Sequence, residues 1–241
     1  MKKYKLSVIV PVYNQEDYIY RNLHEMLKTF KRYGHNFEIV LVNDGSTDKT
    51  LEEAKLVKDK KLRIVSYTPN RGKGFALKHG FDFVSGDVVT FMDGDLDIHP
   101  KNIINFFPYL EDADMVIGSK RHPKSKVNYP LNRKVLSYFY HVFVNLLFNL
   151  KVKDTQSGFK LIKYNCLRDI LPKVLVKRYA FDLELLVNAK KAGYNIAEAP
   201  IELQFNWGHK TGVKNGAIKG ILVDTLAIAY RLYILRHYNR K

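Results

Sequence analysis

Apolar residues in this chain recur in two ways: as short continuous runs typical of buried strands, and between them at the three-and-four spacing of helices that face a core. Residues 6–12 form a β-branched run containing Pro11, and Ile19, Leu23, Met26, Leu27 and Phe30 then fall on one helix face behind Asn14-Gln15-Glu16-Asp17, which supplies capping and first-turn residues. Residues 37–42 predict a second strand ending in Asn43-Asp44-Gly45-Ser46-Thr47-Asp48. A helix over 49–57 and a strand over 62–67 follow, and the chain then reaches Asn70-Arg71-Gly72-Lys73-Gly74. The spacing predicts a third helix over 75–84 and a fourth strand over 87–92, directly before Asp93-Gly94-Asp95-Leu96-Asp97. Strand and helix alternate, and every strand ends in a polar loop. Such units are parallel and right-handed. The pattern therefore predicts an α/β protein with a Rossmann-like, mostly parallel central sheet flanked by helices and with its polar loops at one edge. It lacks the Gly-x-Gly-x-x-Gly dinucleotide fingerprint.

The second half is less regular. Val116-Ile117-Gly118-Ser119-Lys120-Arg121 reads as a strand running into a loop, and 119–134 carries six basic residues and no acid. Two further segments, 135–150 and 217–238, are rich in aliphatic and aromatic residues but interrupted by polar ones. Neither reaches the ~20 apolar residues of a membrane span. Both fit amphipathic helices, lying in a membrane interface or packing on a core. No hinge-like linker divides the chain, so the expectation is a catalytic domain over 1–215 with a C-terminal amphipathic helix over 216–241.

Composition narrows the class of partner. Lys and Arg number 40 against 24 Asp and Glu, a formal charge of +16, which calls for an anionic partner: nucleic acid, a phosphorylated substrate or an acidic membrane surface. No RNP, zinc or helix-turn-helix pattern accompanies the charge, so a nucleic acid is not the expected one. The single cysteine, Cys166, excludes an internal disulfide framework and a Cys-based zinc site. The basic start Met1-Lys2-Lys3-Tyr4-Lys5 leads straight into a strand without a cleavage signal, which predicts a cytoplasmic chain.

The candidate chemistry lies at the strand ends. Asp93 and Asp95, just past a buried run, suit a hard divalent cation carrying a diphosphate. Asp97 is either a third ligand, direct or through water, or a turn residue. Gly72-Lys73-Gly74 at a helix start suits a phosphate. His99-Pro100 reads as a helix start, with metal contact by His99 the lesser alternative.

Taken together and in this order, Pro11-Val12-Tyr13-Asn14-Gln15-Glu16, Asn43-Asp44-Gly45-Ser46-Thr47-Asp48, Asn70-Arg71-Gly72-Lys73-Gly74 and Asp93-Gly94-Asp95 resemble the family 2 inverting glycosyltransferases of GT-A fold. Asp154-Thr155-Gln156-Ser157-Gly158-Phe159-Lys160, Ala180-Phe181-Asp182-Leu183-Glu184-Leu185-Leu186 and Asn206-Trp207 narrow the likeness to the polyprenyl-phosphate sugar synthases, above all the dolichyl-phosphate glucosyltransferases. The resemblance implies a GT-A fold. It also implies that Pro11, Tyr13, Glu16, Asn43 and Asp44 border the nucleoside, with Lys73, Asp93 and Gly94 on the nucleotide sugar. Many members carry Asp where this chain has Asn43. Asp93 and Asp95, with Asp97 as the open third, would hold Mg²⁺ or Mn²⁺.

The implied reaction transfers a hexose, UDP-glucose being the expected donor and GDP-mannose the next, to a polyprenyl or dolichyl phosphate with inversion. A phosphate monoester has a second pKa of roughly 6, so this nucleophile needs no strong base. It needs cations, and Lys120, Arg121, Arg133 and Lys210 are the candidates. Asp95, Asp154, Gln156 and Asp182 are the candidate catalytic residues, and Asp182 or Glu184 would position the acceptor or tune a cation. A lipid acceptor and the net positive charge predict peripheral attachment to an anionic membrane surface, on its cytoplasmic face. Two alternatives stand: transfer to a hydroxyl of a soluble glycan, which requires a general base, and a basic nucleic-acid-binding module. The sequence names no protein partner.

Overall fold

A computed structural model of the chain describes residues 4–34, 36–127, 131–155, 157–177, 180–202 and 215–239. Seven strands form one sheet in the order β3-β2-β1-β4-β6-β5-β7. They are β1 Leu6–Val12, β2 Phe37–Asp44, β3 Leu62–Tyr67, β4 Val88–Phe91, β5 Met115–Ser119, β6 Lys160–Lys163 and β7 Ile196–Pro200. The helices are α1 Ile19–Arg32, α2 Thr50–Leu56, α3 Lys73–Phe81, α4 Leu131–Phe148, α5 Tyr164–Ile170, α6 Phe181–Lys191 and α7 Asn215–Tyr233. One buried cluster joins α3, α4, α5, α6 and α7 to one sheet face through residues such as Ile9, Phe91, Ile117, Val144 and Ile228. The other, including Val8, Leu23, Phe30, Ile103 and Phe106, joins α1 and the 100–111 segment to the opposite face. Strands covered on both faces need continuous apolar runs, which is what β1, β2 and β4 carry.

The first four strands are parallel, as the β/α alternation predicts. Two departures from a uniform parallel sheet matter. Strand β6 runs antiparallel to both β4 and β5, with Lys160 opposite Phe91 on one side and Ile117 on the other. Its beginning, not its end, therefore lies at the edge where β1, β2, β4 and β5 finish, so the loop leading into it joins the polar edge. In addition, 100–111 winds as a 3-10 segment. Pro108 removes one backbone donor within it and disfavours an α-turn. His99 caps its start, Nδ1 accepting from Lys101 N at 3.1 Å, with Pro100 in the first turn. That matches the helix-start reading of His99-Pro100.

The third helix begins at Lys73, earlier than the apolar spacing implies, because Gly72 at φ +89° turns the chain directly into it. That conformation places Lys73 at the polar edge. The loop before it is held from below by Asp44, whose side chain is almost fully buried. Its Oδ1 accepts from Tyr67 Oη (2.8 Å) and Arg71 N (2.7 Å), and its Oδ2 from Asn70 Nδ2 (3.0 Å) and Gly72 N (2.8 Å). The next residue, Gly45 at φ +67°, lets this loop press down. A Cβ there would stand 2.6 Å from Asn70 N.

The loops after β1 and β2 are laced in the same way. Asn14 Oδ1 accepts from Thr47 N (2.9 Å), Glu16 Oε2 from Lys49 N (2.8 Å), and Gln15 N donates to Thr50 Oγ1 (2.6 Å). At the far edge, Glu38 ties β1 and β2 to the segment entering β4, accepting from Ser7 Oγ (2.6 Å) and from Ser85 N (2.5 Å). Cys166 lies in the core, and burial pushes its thiol up to about 12.

Two outcomes are expected. Burial alone would raise the Glu38 carboxyl, but the Ser7 and Ser85 hydrogen bonds and Lys5 outweigh it and hold the group below the ordinary glutamate value of 4.5. A depressed folded value stabilises the native state above the unfolded value and loses that contribution as pH falls through the folded one. The stability gap between wild type and Glu38→Gln should therefore stay constant from about pH 8 to about pH 5 and close below about pH 4, as read by urea unfolding. Asp44→Ala, which strands four donors under a loop, should cost about 2–4 kcal/mol in the same assay. A loss below about 0.5 kcal/mol would show that the loop stands without it.

Candidate active site

Asp93 and Asp95 extend from the end of β4, one strand from β2 and flanked by β1 and β6. Lys73, from the start of α3, reaches Asp93 Oδ1 at 2.5 Å. Burial pulls this ammonium down, but Asp93, Asp182 and Asp95 together outweigh it and hold Lys73 above the ordinary lysine range. Asp95 is more enclosed. Burial first, then the Asp93 carboxylate, push it up to about 6. Negative charge is thus in excess even with Lys73 present.

Two hard carboxylate oxygens carrying surplus charge fit a divalent cation whose remaining ligands come from a diphosphate and water. Among the described residues no set of three His, Cys, Asp or Glu side chains converges as a metal cage. Asp97 contributes to the turn: its N–H donates to Asp95 Oδ1 at 3.1 Å. Gly94 is required for packing, since a Cβ there would stand 2.8 Å from Val12 Cγ1 and would run into Gln15 Oε1. Its carbonyl accepts from Asn22 Nδ2 at 2.8 Å.

The expected nucleoside-side residues line the adjoining edge. Pro11 sits in β1 opposite Val42, Tyr13 is half-exposed beyond it, and Glu16 closes the laced loop. Asn43 is buried, donating to Ser66 Oγ (2.9 Å) and accepting from Ser46 N (3.3 Å). The lone pairs of the Asp44 carboxylate are fully engaged by its four donors, so it acts through the loop it holds.

On the other side of β4 a second cluster forms. Asp154 is buried and its Oδ2 accepts from Lys120 N at 3.0 Å, with Lys120 Nζ at 3.9 Å. Arg121 turns to α4, donating to Ser137 O at 2.7 Å and lying over the Tyr138 ring. Asp182, in the first turn of α6, receives Lys160 Nζ at 2.7 Å on Oδ1. Glu184 points away from this cluster: fully buried, it accepts from Leu175 N (2.7 Å) and Val176 N (2.6 Å) and meets Arg231 (3.0 Å) and Tyr238 (2.5 Å). That corrects its expected role on acceptor or cation. Gln156 and Lys210, and with them Trp207, lie outside the described residues, as does the Arg133 side chain.

Sequence reasoning singled out neither Lys160 nor His141. The signal for Lys160 was a lysine placed where a strand should be apolar. His141, on α4, is held below the ordinary histidine range by burial and then by Arg121.

Comparison with known proteins bears on the family and the fold. The profile of glycosyl transferase family 2 matches residues 7–171. The chain is 30% identical to the dolichyl-phosphate beta-glucosyltransferase of Saccharomyces cerevisiae, over 96% of this chain and 74% of that one. It is 32% identical to the Dictyostelium discoideum enzyme of the same name, over 87% and 68%. Among solved structures it resembles glucosyl-3-phosphoglycerate synthase from Mycobacterium tuberculosis in complex with Mn²⁺, UDP and phosphoglyceric acid, with a TM-score of 0.69 at 20% identity, covering 94% of this chain and 78% of that one. A complex of that synthase with Mn²⁺, UDP-glucose and phosphoglyceric acid gives 0.68 at 19%, over 94% and 80%. At these identities the structural likeness bears on fold, and the fold is GT-A. With the profile spanning two thirds of its length and the strand-end loops in their expected places, the chain belongs to glycosyl transferase family 2.

Proposed function

We propose that this chain transfers glucose, with inversion, from UDP-glucose to a polyprenyl phosphate of the dolichyl type. The observation that carries the reading is the pair of oppositely composed clusters on either side of β4: acids with Lys73 on one side, and Lys120 backed by Asp154 on the other. The first suits a donor diphosphate and the second an acceptor phosphate. The names of the two curated relatives agree with it, and the UDP-glucose in the Mycobacterium complex agrees with the donor.

In this reading a phosphate oxygen of the lipid attacks the anomeric carbon from the face opposite the diphosphate. The bond from that carbon to the β-phosphate oxygen breaks, and its electron pair leaves with UDP. Lys73 supplies positive charge where the diphosphate gains negative charge. Asp93 and Asp95 would hold Mg²⁺ or Mn²⁺, which supplies Lewis-acid stabilisation of the leaving group when bound. Lys120 and Arg121, with Arg133 and Lys210 from the sequence, offset the repulsion between two phosphates brought together. Asp154 orients the Lys120 backbone and keeps its ammonium close. Glu16, Asn43, Asp44, Pro11 and Tyr13 shape the nucleoside side. The acceptor is already ionised at neutral pH, so no residue has to remove a proton from it.

The lipid acceptor gives meaning to the outer faces of α4 and α7. Tyr138, Phe139, Val142 and Leu146 on α4, and Leu222, Val223, Leu226, Tyr230 and Tyr233 on α7, are exposed and fall at helical spacing, and Ile234 just past α7 is exposed as well. The two helices are joined by a 2.8 Å hydrogen bond between Tyr140 and Thr225 and by Tyr233 Oη donating to Leu147 O. Among the described residues no helix is long and apolar enough to cross a membrane. An apolar double stripe beside a basic loop suits the interface of an anionic bilayer, on its cytoplasmic side.

Two experiments test this. With a panel of nucleotide sugars, Mg²⁺ or Mn²⁺, detergent and either a polyprenyl phosphate or a soluble sugar alcohol, wild type should use UDP-glucose and the lipid phosphate. Asp95→Ala should lower turnover by at least about 10³-fold with its thermal unfolding unchanged. Turnover on the alcohol with a bell-shaped pH profile would instead favour the soluble-glycan reading. In vesicle flotation the protein should rise with anionic vesicles, and Phe139→Ser with Leu226→Ser should reduce the floated fraction. Equal recovery in the unbound layer with and without anionic lipid would defeat the membrane assignment.

A further inference from the structure

Lys160 is completely buried, on the sheet face that α6 covers. Opposite residues of paired strands project to the same face. Its stem therefore lies beside Phe91 and Ile117, and its ammonium has only the polar edge to reach. There Nζ donates to Asp182 Oδ1 at 2.7 Å and to Ser157 O. Burial lowers the ammonium below the ordinary lysine range, against the opposing pull of Asp182.

The other oxygen of Asp182 does not face the core. A Cβ built on Gly158 would come within 3.9 Å of Asp182 Oδ2 and 3.7 Å of Lys73 Nζ, so a carboxylate oxygen and the donor-side ammonium border one small gap at the glycine. Asp182 retains 19% side-chain exposure, Lys160 none. A charge series of alternating sign results: Asp93, Lys73, Asp182, Lys160.

Stability does not call for this lysine. Burying an ion pair costs several kcal/mol per ion before the mutual attraction returns it, and an apolar pair of similar volume is often neutral or better. Asp182 in the first turn of α6 is also favoured by the helix dipole without any partner. Nor is Asp182 required as a base, since the acceptor phosphate carries its charge already. What a fixed carboxylate oxygen can do one glycosidic bond beyond the diphosphate site is accept hydrogen bonds from sugar hydroxyls.

We infer that Lys160 is a positioning residue for the transferred sugar: from inside the core it holds one oxygen of Asp182 and thereby turns the other to the sugar's hydroxyls. The inference rests on the nucleotide-sugar reading above. Without Lys160, Asp182 can turn to Lys73, whose ammonium borders the same gap at Gly158, and moving to it would both release the sugar and draw Lys73 from the diphosphate side.

The test compares wild type, Lys160→Met, Asp182→Asn and the charge-balanced Lys160→Met/Asp182→Asn, each checked for folding by thermal unfolding. Saturation-transfer NMR with UDP-glucose and Mg²⁺ should show contact at glucose-ring and uracil protons in wild type and at uracil protons only in the three variants. UDP affinity by calorimetry should stay within about threefold. Turnover should fall about 100-fold in Lys160→Met, with the double variant no worse than Asp182→Asn, because both changes disable one device. Wild-type glucose-proton saturation in Lys160→Met, or recovery of it in the double variant, would reduce the pair to a structural one and overturn the inference. So would absence of glucose-proton contact in wild type. Absence of transfer to polyprenyl phosphate, with sugar contact intact, would overturn the acceptor reading alone. If Lys160→Met fails to fold, the double variant still decides, since it removes the uncompensated charge.

Discussion

Three carboxylates within five residues of a buried strand repel one another, and the remainder of the polar edge is arranged around that excess. Asp95 feels it most, pushed up to about 6 by burial and by Asp93. Lys73 answers it in the protein itself, and its position depends on two features of backbone chemistry. Gly72 takes a conformation that a side chain disfavours, and Asp44 gathers the donors of the preceding loop. Lys73 is thus delivered to Asp93 by a loop that the neighbouring strand holds in place, which makes β1 to β4 with α3 a single structural unit.

The first half of that unit was legible in the sequence because each buried strand is a continuous apolar run and each connecting helix keeps a regular apolar face. Strand-end acids and glycines then mark the edge. In the second half the strand ending at Ser119 and the helical segments of α4 and α7 were legible as well, whereas β6 and β7 were not, for identifiable reasons. Strand β6 is only four residues long, and its sequence, Lys160-Leu161-Ile162-Lys163, begins with a charge that pairs with Asp182 at 2.7 Å and ends with one that pairs with Asp114 at 3.1 Å. Both lysines disguise a strand buried between two others. Strand β7 carries Glu198 and ends in Pro200, again outside the strand pattern. The site residues show the same division. Asp93, Asp95 and Lys73 stood out at a strand end and a helix start and gained weight only with the other loops beside them, whereas Glu184, three residues from helix-start Phe181, looked like a site acid and is a core anchor.

That anchor links parts that the sequence keeps apart. Glu184 accepts from Leu175 N and Val176 N, and the following Lys177 O accepts from Gly74 N at 3.0 Å, the residue next to Lys73. Its other oxygen meets Arg231 of α7 and Tyr238 beyond it. Gly74 has no room for a side chain, since a Cβ would stand 2.8 Å from Phe181 and 3.0 Å from the Lys177 Cα. The helix with the exposed apolar stripe is therefore joined by buried polar contacts to the backbone that carries Lys73.

A buried carboxylate with four partners is costly to rearrange, because loss of any one leaves a charge or a donor unsatisfied in a medium that cannot replace it. The link between α7 and α3 is accordingly a stiff one. Movement of α7 cannot be taken up at Glu184. It must either be transmitted to 174–177 and the start of α3 or be prevented. For the proposed reaction, which brings a lipid-borne phosphate to a water-borne donor, stiffness is the useful property. In the proposed reaction the acceptor's depth would be set at the exposed faces of α4 and α7 and the donor's position where Lys73 meets Asp93, with the distance between the two held by the packing that joins them.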